Sequence, residues 1–198
     1  MENYPYIPVQ TGEKAVRNRM RAGRADFSAS LEKDFGAALQ TARRMFHPRG
    51  KAGVFDVERA AGALAVAGNE VRSEKLYKLM ESSSAAYLMC ASIPADEVQA
   101  ITDAMKRGEG LLALVLDAYA SECVDGALDV MMQRKNEMLR RTGQRLTRHR
   151  FSAGYGDLGI SVQKLFFDLL DAQTLGITIN DKFMLAPEKS VIAIAGVI

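Results

Sequence analysis

The sequence predicts an α+β fold in which helices flank a mostly antiparallel, twisted sheet. Helical periodicity comes first along the chain and strands mixed with helices come later, an order unlike the regular alternation of βαβ units. Two apolar runs, residues 85–93 and 191–195, have the composition of strands that are buried on both faces. No internal repeat is evident. We therefore expect the C-terminal strand to be central in its sheet.

The first fifty residues are predicted to form an irregular lead and a helical arm. Two prolines and a glycine break up residues 1–12. Apolar side chains then recur at three- and four-residue steps over residues 31–46, which indicates an amphipathic helix that ends at the turn residues 47–50. On this basis we divide the chain into an N-terminal part, residues 1–50, and a core, residues 51–198.

Apolar spacing predicts the elements of this core. Pro94 suits the start of a helix, where a missing N–H costs nothing. Only Gly126 weakens the long helical pattern that follows, and the acids Glu122 and Asp125 within it exclude a membrane span. The expected elements are strand 54–57, helix 73–82, strand 85–93, helix 94–108, helix 111–141, helix 161–172 and strand 191–195.

Composition indicates an ordinary globular chain of one domain. Of 198 residues, 48% are hydrophobic and 25% are charged, and the net charge of +2 is too small to indicate any class of partner. The N-terminus lacks the basic and apolar regions of a signal peptide, and no apolar run is long enough to cross a membrane. We therefore expect a cytoplasmic protein with no membrane partner.

The cysteines and histidines argue against a metal site. Cys90 and Cys123 lie in separate apolar segments without a Cys-x-x-Cys pair, which favours buried free thiols over a disulfide. His47 and His149 are far apart, and neither belongs to the Asp-x-His-x-x-Gly pattern of cobalamin-binding modules. We expect that this chain itself binds neither a metal nor cobalamin.

The segment Arg-Phe-Ser-Ala-Gly-Tyr-Gly-Asp, residues 150–157, is typical of a binding loop. The planar guanidinium of Arg150 suits a carboxylate, Gly154 lets the backbone approach a ligand, and Tyr155 offers a flat face with a hydroxyl at its tip. Together they suit a small zwitterion that carries a ring. On these residues alone, a surface or salt-bridged arginine is the more common role for such a side chain.

These residues and their surroundings resemble the activation domain of cobalamin-dependent methionine synthase and its short stand-alone relatives. The most informative match is the motif Arg150-x-x-x-Gly154-Tyr155, and the resemblance as a whole covers roughly residues 60–198. Further matching segments are 85–94, 114–121, 166–172, 175–178 and 183–191.

The resemblance implies a binding site for S-adenosylmethionine. In the family, the arginine of the motif contacts the carboxylate of this ligand, which assigns that role to Arg150. Gly154 and Tyr155 match the motif position for position, and Ala153 would be a backbone contact.

Three positions depart from the family pattern or extend it. Gln144 stands where the family has a glutamate six residues before the arginine, and Gly156 stands where the family has a proline. Asp157 is a candidate replacement partner for the ligand ammonium, or else it turns the chain or caps the helix expected from residue 161.

The favoured hypothesis is an accessory module that binds S-adenosylmethionine and docks on a corrinoid protein to support reductive methylation of cobalamin. Such a module needs no catalytic acid or base, and it is at most a component of cobalamin-dependent methionine synthase, a methyltransferase. Expected partners are a corrinoid protein or methionine synthase modules, and a flavodoxin-like electron donor.

The basic stretch over residues 134–150 suits an acidic protein partner. Binding of nucleic acid is not expected, because no aromatic side chain lies among those charges to stack on a base.

Two alternatives remain open. The first alternative is a non-catalytic scaffold for corrinoid-protein assembly that has lost the S-adenosylmethionine site, and Gly156 and Gln144 favour it. The second alternative is a homo-oligomeric sensor that binds another small metabolite at the same loop.

Overall fold

The protein has the α+β fold that the sequence predicts, with helices around a curled antiparallel sheet. The computed structural model describes residues 1–60 and 63–198. The helices are α1 (Glu13–Arg19), α2 (Ala29–Met45), α3 (Glu74–Leu79), α4 (Ala95–Lys106), α5 (Gly110–Leu139) and α6 (Val162–Leu169), and 3₁₀ turns lie at Arg140–Thr142 and Ala172–Leu175. The strands are β1 (Glu2–Tyr4), β2 (Arg49–Ala60), β3 (Ala63–Val66), β4 (Asn69–Val71), β5 (Ala85–Ser92), β6 (Thr178–Ile179), β7 (Leu185–Ala186) and β8 (Ser190–Val197).

The main sheet has the strand order β4-β3-β2-β5-β8, with β1 attached to β2, while β6 and β7 form a separate small hairpin. The sequence predicted only residues 54–57 of β2, and the strand is longer because it pairs with β1, β3 and β5. Its glycines and charged residues obscure the alternation. Gly50 is required there, since a Cβ atom would lie 2.7 Å from the carbonyl oxygen of Cys90 on the neighbouring strand.

Alternate residues of β5 and β8 divide the core into two layers. The first layer faces α3 and α6 and includes Leu88, Cys90, Ile192 and Ile194. The second layer faces the C-terminal half of α5 and includes Tyr87, Met89, Ala193 and Ala195. The small side chains of β8 on this second face leave room for the helix, and α5 packs against β5 and β8 on that side.

Residues from α1, α2, α4 and the first half of α5 form a third apolar cluster, which includes Val16, Phe35, Leu39 and Tyr119. The N-terminal residues are therefore in close contact with the rest of the chain. The division proposed at residue 50 remains a prediction, and it falls inside β2.

The N-terminal lead differs from the prediction, because Glu2–Tyr4 forms strand β1 and α1 was not expected at all. Glu2 accepts hydrogen bonds from the hydroxyls of Tyr4 (2.8 Å) and Tyr87 (3.2 Å) and from the ammonium of Lys135 (2.7 Å). These contacts attach β1 to β5 and α5. The contacts of Glu2 with Tyr87 and Lys135 join residues more than eighty positions apart, which periodicity within a short window does not register.

The C-terminal strand was correctly predicted to be buried, but its predicted central position is wrong. β8 is the last strand of the sheet, and its outer edge is hydrogen-bonded by residues 145–151 instead of by a regular strand. Ile192, Ala193, Ile194 and Ala195 are all at most 1% exposed. Within the described residues, no helix is both long and apolar enough to cross a membrane.

Candidate ligand-binding groove

The segment before the predicted binding loop bulges away from β8. The backbone N–H of Thr147 donates to the carbonyl of Gly196, and Phe151 exchanges two backbone hydrogen bonds with Ile194, all at 2.8 Å. The three residues between Thr147 and Phe151 therefore lie opposite the single residue Ala195. The buried hydroxyl of Thr147 stabilises this bulge, because it accepts from the N–H of Gly196 (3.0 Å) and donates to the carbonyl of His149 (2.9 Å). Such a bulge redirects side chains out of the sheet.

Arg150, at the end of the bulge, contacts one face of α5. Its Nη1 atom forms an ion pair with Asp129 and lies 4.0 Å from the sulfur of Met132, and its Nη2 atom donates to the carbonyl of Asp125 at 3.3 Å. The guanidinium is partly buried, with the side chain 26% exposed, whereas the side chain of Asp129 is 69% exposed. Arg150 thus presents a partly desolvated cation beside an accessible carboxylate.

Arg150 lies in a surface groove of about 470 Å³ between the bulge and α5. The groove contains three arginines and two carboxylates, so both signs of charge are accessible in one place. Its lining residues are Asp129, Met132, Gln133, Asn136, Glu137, Arg140, Arg148 and Arg150. This arrangement can bind a zwitterion, with arginines for a carboxylate and Asp129 or Glu137 for an ammonium group.

Tyr155 lies at the apex of the loop that follows and is 70% exposed. Both flanking glycines have positive φ angles, +85° at Gly154 and +58° at Gly156, which favours glycine at both positions. The Gly154 N–H donates to the carbonyl of Leu158 at 2.9 Å, and the Leu158 N–H donates to the carbonyl of Tyr155 at 3.0 Å. Leu158 and Ala153 are buried, so the loop is anchored at both ends while the tyrosine ring remains accessible.

Asp157 caps α3, not the helix near residue 161. One carboxylate oxygen accepts from the hydroxyl of Ser73 (2.6 Å), and the other accepts from the backbone N–H groups of Glu74 (2.7 Å) and Lys75 (3.2 Å). The hydrogen bond from Ser73, followed by those from the two amides, holds the pKa of Asp157 below its ordinary value. Asp157 therefore stays ionised and joined to α3.

Gln144 lies just after the C-terminal end of α5. Its side-chain oxygen accepts from the hydroxyl of Thr142 at 3.0 Å, and its N–H donates to the carbonyl of Leu139 at 3.0 Å. These contacts belong to the helix end rather than to the groove.

The structure thus places Arg150 in the groove. Ala153, Gly154 and Tyr155 lie in the loop that follows along the chain, outside the lining of the groove. Asp157 contacts α3, and Gln144 contacts the end of α5. The groove residues on α5 were missed by sequence reasoning. Their three- and four-residue spacing marks one helix face, but nothing local to α5 shows which segment that face meets.

The cysteines lie away from this groove and are both buried as free thiols. Burial raises the pKa of Cys90 to about 11 and that of Cys123 to about 12, so both remain protonated at neutral pH. In the part of the chain that the structure describes, no three His, Cys, Asp or Glu side chains are grouped so as to hold a metal ion.

A comparison of the sequence with protein-family models gave no match, and neither did a comparison with curated proteins. Solved structures do match. The crystal structure of the MetH reactivation domain bound to AdoHcy superposes with a TM-score of 0.65 and 15% sequence identity, over 98% of this chain and 81% of that one. The chain therefore shares its fold with the MetH reactivation domain.

Proposed function

We propose that this chain binds S-adenosylmethionine in the groove beside α5 and serves as an accessory module for a corrinoid protein. The observation that carries this proposal is the placement of Arg150 and Asp129 together in an accessible groove. The related solved domain supports the ligand class, since it was crystallised with AdoHcy, the demethylated product of S-adenosylmethionine.

The charges of this open groove, which has a volume of about 470 Å³, suit the amino-acid end of this ligand. Arg150, assisted by Arg148 or Arg140, would hold the carboxylate, and Asp129 or Glu137 would hold the ammonium group. In this proposal a carboxylate on α5 replaces the family glutamate, so the glutamine at residue 144 no longer counts against binding.

The remainder of the ligand would extend from the groove to the loop apex. Ala153 and Gly154 would offer backbone contacts, and the exposed ring of Tyr155 would contact the adenosyl part. The bound donor would supply a methyl group for reductive methylation of cobalamin held on the partner protein. This chain would bind and orient the donor, and its own residues would transfer no proton.

Five exposed arginines near the C-terminal end of α5 support docking on an acidic surface. We name these five residues the arginine segment: Arg134, Arg140, Arg141, Arg145 and Arg148. Within the described residues, the ion pairs of this region use Arg150 and Lys135 but none of the five. Accessible cations of this kind accelerate association with an acidic partner. We propose a cytoplasmic corrinoid protein as that partner, with a flavodoxin-like protein as electron donor.

Calorimetric titration of three ligands into the purified chain tests the binding proposal. S-adenosylmethionine and S-adenosylhomocysteine should both bind, since both carry the amino-acid end. 5′-Methylthioadenosine lacks the carboxylate and the ammonium group, and it should bind at least about a hundredfold more weakly if each of the two charge contacts contributes about 1.5–3 kcal/mol. No binding of either amino-acid ligand at millimolar concentration would overturn the proposal, and equal binding of all three would place the ligand elsewhere.

Docking is tested separately with a purified corrinoid protein by biolayer interferometry. Reversing three charges outside the ligand groove, with Arg134→Glu, Arg141→Glu and Arg145→Glu, should slow association, and raising the salt concentration should slow association of the unmodified chain as well. An association rate that responds to neither change would contradict the arginine segment as the docking surface.

One observation favours a scaffold without ligand as the second candidate. The guanidinium of Arg150 already has partners within the chain, Asp129 and the carbonyl of Asp125. If the titrations show no binding while docking persists, the scaffold function replaces the donor-presenting one.

A further inference from the structure

We propose that Asp157 is a positioning residue that sets the location of Tyr155 by joining the binding loop to α3. This inference rests on the proposed function, because it concerns how the loop meets S-adenosylmethionine. From the sequence, Asp157 is a candidate partner for the ligand ammonium, but its hydrogen bonds to α3 favour the positioning role.

The contacts of the carboxylate carry the argument. Both oxygens of Asp157 are occupied by α3, through the hydroxyl of Ser73 and the amides of Glu74 and Lys75. Ser73 in turn accepts a hydrogen bond from the N–H of Leu76 at 3.0 Å. The loop and the first turn of α3 therefore share one hydrogen-bond network. A carboxylate engaged in three such bonds is poorly placed to bind an ammonium group as well.

The position next to Asp157 fits this role. Gly156 has a positive φ, and a Cβ atom there would lie 2.9 Å from the side chain of Lys75 and 3.2 Å from the ring of Phe151. The glycine thus lets the loop lie close against α3, where Asp157 reaches the helix. The Gly-Asp pair that departs from the family pattern is, in this view, a different way to hold the same loop.

The consequence concerns Tyr155. On one side of Tyr155, the backbone is fixed by the hydrogen bond from the N–H of Gly154 to the carbonyl of Leu158. On the other side, it is fixed by the hydrogen bonds between the carboxylate of Asp157 and α3. The side chain is exposed, so contacts with its ring do little to hold it. Releasing Asp157 should let the apex sample other conformations, and the ligand would then have to order it again on binding. Ordering a loop and one side chain typically weakens binding by about threefold to tenfold.

A double-mutant cycle in the full chain tests the proposal, with S-adenosylmethionine affinity measured by calorimetry. Asp157→Ala should weaken binding about threefold to tenfold, and Asp157→Asn should recover part of the loss because its amide oxygen can still accept from α3. In a Tyr155→Ala background, Asp157→Ala should have no further effect, since the residue acts through the tyrosine. Additive losses would overturn the proposal, as would an affinity unchanged by Asp157→Ala.

Hydrogen exchange provides a readout that does not depend on the ligand. Asp157→Ala should speed exchange at the amides of Gly154 and Leu158 as well as those of Glu74 and Lys75. Acceleration confined to α3 would make Asp157 a helix cap only and would overturn the inference.

Ser28→Ala is the matched control, because Ser28 also caps a helix, α2, which lies away from the loop. Its hydroxyl oxygen accepts a hydrogen bond from the N–H of Leu31 at 3.3 Å. It should leave both the affinity and the loop exchange unchanged. Absence of binding by the unmodified chain would overturn the proposed function and this inference together, whereas binding that Asp157→Ala does not alter would overturn this inference alone.

Discussion

Replacement of Arg150 by alanine should separate ligand binding from stability. A bidentate arginine–carboxylate contact at a partly buried site contributes about 2–3 kcal/mol, which corresponds to a loss of about 30- to 100-fold in affinity. A bound ligand has to share the guanidinium with Asp129, so we expect the lower part of this range. Arg150→Lys keeps the charge but loses the planar fork, and it should give an intermediate loss.

The effect on stability should be small. The ion pair with Asp129 is largely solvent-exposed on the carboxylate side, and exposed pairs contribute about 0.2–1 kcal/mol. For a chain of this length, 1 kcal/mol shifts the melting temperature by about 2–4 °C. Calorimetric titration and thermal unfolding of the same samples measure the two effects side by side.

Asp129→Asn distinguishes two roles for the carboxylate. If Asp129 binds the ligand ammonium, the variant should bind more weakly, whereas if Asp129 only competes for Arg150, it should bind more tightly. Arg107→Ala is the control: Arg107 pairs with Glu109 at the other end of α5, about 30 Å from the groove at 1.5 Å per helical residue. The reasoning is refuted if Arg150→Ala binds within threefold of the unmodified chain, or if its melting temperature falls by more than about 10 °C.

Three further predictions concern the fold. Burial by itself would raise the pKa of Glu2, but the hydrogen bond and charge of Lys135 lower this pKa below its ordinary value of 4.5. The contact should therefore stabilise the fold above pH 4.5, and this stabilisation should be lost as the pH falls through the lower pKa of the folded state. Lys135→Met should lower the melting temperature at neutral pH, and the melting temperatures of the variant and the unmodified chain should approach each other in acid; a difference that stays constant between about pH 3 and pH 6 would contradict this. Ile192→Lys should abolish cooperative unfolding, as seen by circular dichroism, because an unpaired buried charge costs several kcal/mol, about as much as the whole stability of many domains; a native-like melt would show that the site admits water. Cys90 and Cys123 should react with a thiol-specific disulfide reagent at pH 8 only after denaturant is added, and fast labelling of the native chain would contradict their burial.

Local patterns were enough to predict much of the fold. The apolar stripe of α2, the long uninterrupted pattern of α5 and the apolar run of β8 all lie within single elements, so periodicity and composition identify them. The α+β class followed from their order along the chain.

Elements that depend on distant partners were missed or shortened. β1 is three residues long and exists because it pairs with Gly50–Ala52 of β2. β2 itself extends well beyond its predicted four residues, since pairing with β5 stabilises positions that carry glycine and charge. Its charged Lys51 is nevertheless buried, because its ammonium contacts Asp171 and Thr174, more than a hundred residues later.

The same division applies to the candidate site. The loop is evident from the sequence alone, as an arginine, a glycine and a tyrosine at fixed spacing that suit a zwitterion with a ring. The surroundings of these residues depend on tertiary packing. Asp129 meets Arg150 because a bulge opposite β8 turns the arginine toward α5, and Asp157 meets Ser73 across 84 residues of chain. Those contacts depend on how the sheet stacks between α3 and α5, and no local window of sequence contains that packing.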